Sequence, residues 1–213
     1  MRGLYPIVDV DVLQRAGADP IEFLEAVLMA RPPLVQLRAK QLGARETLEL
    51  LRAFRVLTRS AGTELFANDR PDLAVLAECD GVHVGQSDLP AEDVRQCFPS
   101  LKLGVSTHTL DQLEQALSVR PDYVAFGPVF RTGSKRNAEA VVGLEGLRNS
   151  AARVRSQCPL VAIGGIDLAN AADVAGVADL AAVIAALVPA SPSAPAVTSA
   201  TLELTRVFTG RSV

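Results

Sequence analysis

The chain has 213 residues, 49% of them hydrophobic, which is enough apolar material for one sizeable core and suits one domain better than two. A formal net charge of −3 and a pI near 5.5 imply no basic face, which argues against nucleic acid as a partner. Three scattered cysteines, Cys79, Cys97 and Cys158, form neither a disulfide framework nor a zinc site, and a reduced cytoplasmic setting is expected.

Taken from the N-terminus, the run up to Asp9 is too short and meets acids too soon to read as a signal peptide. A first strand is predicted at Leu4–Val8. Asp19-Pro20 then offers an N-cap and a proline at the first helical position, followed by Phe23, Leu24, Val27 and Leu28 on one side. Further strands are predicted at Leu34–Arg38, Glu64–Ala67, Gly81–Val84, Leu101–Val105, Tyr123–Phe126, Leu160–Ile163 and Ala181–Ile184. Between them, Leu50, Phe54 and Leu57 mark the inner face of one helix, and Pro71–Ala77 forms a short one. Thr109-x-x-Gln112 is a capping box ahead of Leu110, Leu113 and Leu117. Pro189–Ala200 reads as a loop before a last helix at Thr201–Phe208. The most apolar stretch, Val174 to Pro189, is interrupted by Asp179 and is too short to span a membrane, so a soluble protein with no membrane partner is expected. This strand–helix alternation over residues 1–213 predicts a single-domain (β/α)₈ barrel of the α/β class, a TIM barrel.

Chemistry in such a barrel lies where strands run into the loops that follow them. After the second strand, Gln36, Arg38 and Lys40 share one side by alternation, a pattern that suits a phosphate clamp or, more blandly, charges leaving the core for water. The third strand ends in Asn68-Asp69-Arg70 and the fourth in Gly85-Gln86-Ser87-Asp88. Singly, Asp69 suits a turn with Arg70 and Pro71, and Asp88 a helix cap near Pro90. Jointly, beside a basic strand, two acids suit Mg²⁺ held against a diphosphate. The long loop Gly127–Lys135 brings Thr132, Gly133, Ser134 and Lys135 together, a set that matches phosphate oxygens and could close as a lid. Gly164-Gly165, ahead of a helix capped by Asp167, and Ile184-Ala185 lie after strands seven and eight, the usual phosphate site of these barrels. His83, between valines, reads as a core histidine. His108 is equally a general base or part of a capping turn.

The segments Gln36-x-Arg38-x-Lys40, Asn68-Asp69-Arg70-Pro71-Asp72-Leu73-Ala74, Gly81-Val82-His83-Val84-Gly85-Gln86-x-Asp88-Leu89-Pro90 and Gly104-Val105-Ser106 occur in order. Asp122-Tyr123-Val124-x-Phe126-Gly127-Pro128-Val129-Phe130, Gly143-Leu144 and Val161-Ala162-Ile163-Gly164-Gly165-Ile166 complete the series. In these segments, and over nearly its whole length, the chain resembles the thiamine phosphate synthase family. The resemblance implies condensation of an aminopyrimidine methyl diphosphate with a thiazole monophosphate, giving thiamine monophosphate and pyrophosphate. It implies that Gln36, Arg38, Lys40, Asn68, Ser106 and Lys135 bind the pyrimidine diphosphate, with Arg38, Lys40, Lys135 and Ser106 catalytic, and that Asp69 and Asp88 bind Mg²⁺. Thr132, Gly133, Ser134, Gly164, Gly165 and the Ile184-Ala185 backbone would hold the thiazole phosphate. The chain departs from the family pattern at Ser134, where a second threonine is common, at Ala185, where a serine is common, and at Arg131, where proline is frequent. A sister group of thiazole tautomerases, with His108 as base, tends to lack the acids and the basic strand found here. A non-catalytic phosphate-ligand barrel would not need those acids. The sequence leaves homo-oligomers open.

Overall fold

In the computed structural model, which describes residues 1–133 and 140–210, the strands form a closed, wholly parallel barrel in chain order. They are β1 (Gly3–Asp9), β2 (Leu34–Arg38), β3 (Glu64–Asn68), β4 (Gly81–Val84), β5 (Lys102–Thr107), β6 (Tyr123–Phe126), β7 (Leu160–Ile163) and β8 (Leu180–Val183). The helices of the described residues are α1 (Val10–Ala16), α2 (Pro20–Leu28), α3 (Ala44–Ala61), α4 (Pro71–Leu76), α5 (Ala91–Cys97), α6 (Leu110–Ser118), α7 (Gly143–Val154), α8 (Ala171–Ala175) and α9 (Ala194–Thr209). A 3-10 turn at Ala185–Leu187 follows β8. The predicted (β/α)₈ barrel is thus present, and no described helix is long and apolar enough to cross a membrane.

Strand alternation divides the core in two. Side chains on the outer face of the sheet, including Leu4, Val8, Leu37, Leu65 and Val82, pack under the helices in the larger cluster. Those on the inner face, Tyr5, Ile7, Leu34, Phe66, Tyr123, Ala125, Val161, Leu180 and Ala182, fill the barrel itself. The Tyr123 ring occupies the space that a Cβ on Gly104 would need, so glycine at that β5 position makes room for an aromatic from β6.

The helices follow local signals where those signals are strong. The Asp19 carboxylate accepts from the N–H groups of Ile21 and Glu22 at 2.8 and 3.0 Å, as an N-cap should. In the capping box of α6, Thr109 Oγ1 accepts from Gln112 N at 3.2 Å, but the Gln112 side chain reaches back to His108 N, at 2.8 Å, one residue earlier than expected. The inner stripe of α3 is Leu51, Phe54 and Thr58, with Leu50 and Leu57 flanking it half-buried. Thr58 fits because its hydroxyl bonds to the Arg55 carbonyl within the helix, at 3.3 Å. One expectation is corrected outright: the last helix begins at Ala194 rather than Thr201. Helix α1, which the sequence reading left out, follows β1 without a break, its start set by Asp9. Pro195 lies in the first turn of α9, where its missing N–H costs nothing, so a Pro- and Ser-rich stretch is helical here.

At the N-terminal face of the barrel, the residue before β4, β6 and β8 is an aspartate each time. Asp80, Asp122 and Asp179 accept the first free N–H of the preceding strand, from Leu65, Leu103 and Leu160, at 2.8, 2.8 and 2.9 Å. Arg55 and Arg95 brace the first two of these carboxylates. This end of the barrel is built for closure of the sheet, which leaves the opposite end for chemistry.

Candidate active site

A cavity of about 850 Å³ opens at the C-terminal ends of the strands. Its wall includes Gln36, Arg38, Lys40, Asn68, Asp69, Asp88, Ser106 and Gly133, so the two basic residues, the two acids and the serine singled out in the sequence do meet. The solvated-charge alternative for β2 holds only in part: the Lys40 side chain is 42% exposed, but both cations have carboxylate partners. Arg38 pairs with Asp9, and the Lys40 ammonium lies against Asp69 and 3.8 Å from Asp88.

The two acids depart from their structural alternatives. Asp88 does not cap α5; its carboxylate turns back to accept the Gly85 N–H at 2.8 Å, which holds it beside Asp69. Arg70 pairs with Asp72 instead of Asp69. Asp69 itself sits at φ +63°, a left-handed conformation uncommon for a residue with a side chain, and its N–H is held by the His83 carbonyl at 2.8 Å. Asn68 Nδ2 donates to Asp69 Oδ2 at 2.6 Å. Burial, and then the hydrogen bond and charge of Asp88, push the Asp69 carboxyl above the ordinary carboxylate range, against the pull of Lys40. Burial acts the same way on Asp88, but hydrogen bonds from Asp69 and from the Gly85 N–H outweigh it and hold Asp88 below that range. Such opposed shifts are what two acids sharing one small site produce. Among the described residues, no group of three or more His, Cys, Asp or Glu side chains could hold a metal ion.

Beneath the charged rim lies a buried chain of hydrogen-bonded polar groups. Gln36 Nε2 donates to Tyr5 Oη at 2.7 Å, Tyr5 and Tyr123 share a hydrogen bond of 2.7 Å, and Tyr123 Oη meets His83 Nδ1 at 2.9 Å. Burial raises both phenol pKa values, so the tyrosines stay protonated. His83 is therefore a core histidine with satisfied hydrogen bonding, as expected, yet its ring also forms part of the cavity floor. Ser106, 2% exposed, has its Oγ buried with no partner among the described residues. A buried hydroxyl of this kind, in a cavity wall, is a natural contact for a ligand.

Of the two roles weighed for His108, the geometry carries the capping turn. Its N–H joins the capping turn of α6, and its Nδ1 lies 2.7 Å from the Gly127 carbonyl. A carbonyl only accepts, so Nδ1 carries the proton. The second phosphate set is less complete. Gly133, Ile163 and Ile184 line the cavity, whereas Gly164, Gly165 and Ala185 are not among its lining residues. Gly164 sits at φ +99°, and a Cβ there would come within 2.5 Å of Pro128 Cβ, so this glycine is required by close packing of the loop after β6. Hydrogen bonds from Val129 N to the Ile163 carbonyl and from Phe130 N to the Gly164 carbonyl, at 2.9 and 3.0 Å, seal that contact. Helix α8 starts at Ala171 with Asn170 as N-cap, so Asp167 does not cap it. Asp167 instead closes a tight turn by accepting Ala169 N at 2.9 Å. Ser134 and Lys135 lie outside the described residues.

The sequence reading missed Asp9, Tyr5 and Tyr123. The signal was present: Tyr5, Ile7 and Asp9 alternate along one face of β1, but a strand taken to stop at Val8 leaves its last inward residue out.

The thiamine monophosphate synthase family model matches residues 4–187. A thiamine-phosphate synthase of Moorella thermoacetica is 46% identical over 157 residues, covering 73% of this chain and 74% of that protein. Another, of Chloroflexus aurantiacus, is 41% identical over 170 residues, covering 80% of this chain and 77% of that protein. The solved structure of a thiamine phosphate pyrophosphorylase from Pyrococcus furiosus has a TM-score of 0.84 at 33% identity, covering 97% of this chain and 95% of that one. Motifs, barrel and relatives agree, and the chain belongs to the thiamine monophosphate synthase family.

Proposed function

We propose that this chain is a transferase that joins an aminopyrimidine methyl group, carried as its diphosphate, to a thiazole monophosphate, forming thiamine monophosphate and releasing pyrophosphate. The observation that carries this reading is the meeting of Asp69, Asp88, Arg38 and Lys40 on one rim of a cavity with a hydrogen-bonded floor. A rim of that kind suits a diphosphate, and a floor of that kind suits an uncharged aromatic ring.

The bond that breaks joins the methylene carbon to the diphosphate oxygen, and its electron pair leaves with the diphosphate. The electron-rich aminopyrimidine supports the resulting cation, and the thiazole nitrogen donates its lone pair to form the new C–N bond. Atoms and charge balance without a covalent enzyme intermediate. Arg38 and Lys40 face the growing negative charge of the leaving group, where oriented cations in a partly dry site act most strongly. We assign Lys135 to the same task. Gln36 and Asn68 orient the pyrimidine diphosphate, and Ser106 offers its unpartnered hydroxyl to it. Thr132, Gly133, Ser134, the Gly164-Gly165 turn and the Ile184-Ala185 backbone receive the thiazole phosphate. Ala185 brings no hydroxyl to that task.

The donor set fits Mg²⁺. Two carboxylates are hard oxygen ligands, too few for an all-protein cage, which matches an ion that keeps waters and takes phosphate oxygens. The Lys40 ammonium already lies on both carboxylates, so the site accommodates positive charge. Asp69 and Asp88 would hold the ion, and when bound it would neutralise the departing diphosphate. The partners on this reading are two small molecules, and the setting is the cytoplasm, where the unpaired Cys79, Cys97 and Cys158 stay reduced.

Pyrophosphate release tests the reading. Purified protein with Mg²⁺ should release pyrophosphate when given both substrates and none when given either alone. No release with both would refute it.

A further inference from the structure

We propose that Asp9 is a positioning residue that holds Arg38 in the orientation that receives the diphosphate, an inference that rests on the synthase reading above. Asp9 and Arg38 are direct neighbours across β1 and β2, at the last paired register before the mouth of the barrel. Asp9 is 2% exposed, and both of its carboxylate oxygens are used. Oδ2 accepts from Arg38 Nη1, and Oδ1 accepts the Val12 N–H at 3.0 Å, which starts α1. A charge so deep in the sheet requires a partner, and Arg38 is that partner.

The arrangement acts on geometry. A guanidinium is a planar fork with five N–H donors, so anchoring one nitrogen fixes the plane of the rest. Arg38 then faces the cavity with its rotamer chosen before any ligand arrives. Orientation set in advance counts for more in the transition state than in the ground state, because donors aimed at developing charge need not reorganise. Asp9 is tied in turn to the first turn of α1, so the clamp is built on strand and helix together and not on a loop.

A double-mutant cycle tests this. Asp9→Asn keeps an acceptor for the Val12 N–H and replaces the charged oxygen that anchors Arg38 with an amide NH2, which cannot accept from it. It should lower kcat/KM by roughly a hundredfold in the wild-type background, the scale of a small misplacement of a charge-stabilising group. In an Arg38→Gln background the same change should have no further effect. Equal losses in both backgrounds would mean that Asp9 acts through the fold alone and would overturn the proposal. If Asp9→Asn melts below the assay temperature, Asp9→Ser, which also caps a helix, takes its place in the cycle. The cycle is read a second time in pyrophosphate affinity by calorimetry, which needs no turnover. There too, Asp9 should matter only where Arg38 is present, and additive effects would overturn the proposal. A wild-type chain that releases no pyrophosphate from its two substrates would refute the synthase reading, and the calorimetric cycle would still decide the role of Asp9.

Discussion

Replacing Tyr123 by phenylalanine removes one oxygen from the centre of the barrel and leaves the rest of the ring in place. The ring contacts persist: Tyr5 edge-on with centroids 5.6 Å apart, and Phe66 tilted at 5.4 Å. What goes is the shared partner of two buried groups, the Tyr5 hydroxyl at 2.7 Å and His83 Nδ1 at 2.9 Å. Tyr5 keeps its bond from Gln36 but loses the one it shares with Tyr123, and His83 loses the Tyr123 bond at Nδ1. Each buried bond lost costs about 1–3 kcal/mol, which puts the variant about 2–6 kcal/mol below wild type. For a chain of this length, that corresponds to a drop in Tm of roughly 4–24 °C. Differential scanning calorimetry of the two proteins measures it directly. Tyr5→Phe/Tyr123→Phe should cost less than the sum of the single changes, because the second removal takes away a hydroxyl that the first had already stranded. An unchanged Tm in Tyr123→Phe, or strict additivity in the pair, would refute the buried hydrogen-bond chain as a source of stability.

Three further outcomes follow from the same physics. Asp69→Asn should abolish most turnover and yet raise Tm at neutral pH, because the folded state disfavours the ionised form of this buried acid and the amide removes that charge at nearly constant shape. Activity assays and thermal melts on one preparation check both halves. At Cys79, burial pushes the thiol up to about 12, while Cys97 is exposed, so a thiol reagent at mildly alkaline pH should label Cys97 first and reach Cys79 only on unfolding. The folded chain holds the Cys79 proton more tightly than an unfolded thiol of pKa 9.0, so its contribution to stability is full below pH 9 and is lost as pH rises from there towards 12. Denaturant midpoints measured across that window, with and without Cys79→Ala, show whether the loss belongs to this thiol.

Much of this protein is local and therefore legible in the chain itself. Strand alternation placed Gln36, Arg38 and Lys40 on one side, turn residues marked the ends of β3 and β4, and Asp19-Pro20 announced α2; each rests on neighbours a few residues apart. The parallel barrel was legible for the same reason, since repeated strand–helix units leave few ways to close a sheet. Tertiary structure decided what depends on partners distant in sequence. Asp9 becomes the anchor of Arg38 only when β1 lies against β2, and Tyr5 meets Tyr123 across 118 residues. The need for glycine at Gly164 comes from Pro128 packing on it, and Pro195 enters a helix because α9 docks on α2 and α8. Periodicity and capping are read along one segment, but a buried charge finds its partner, and a glycine its reason, only when the sheet has closed.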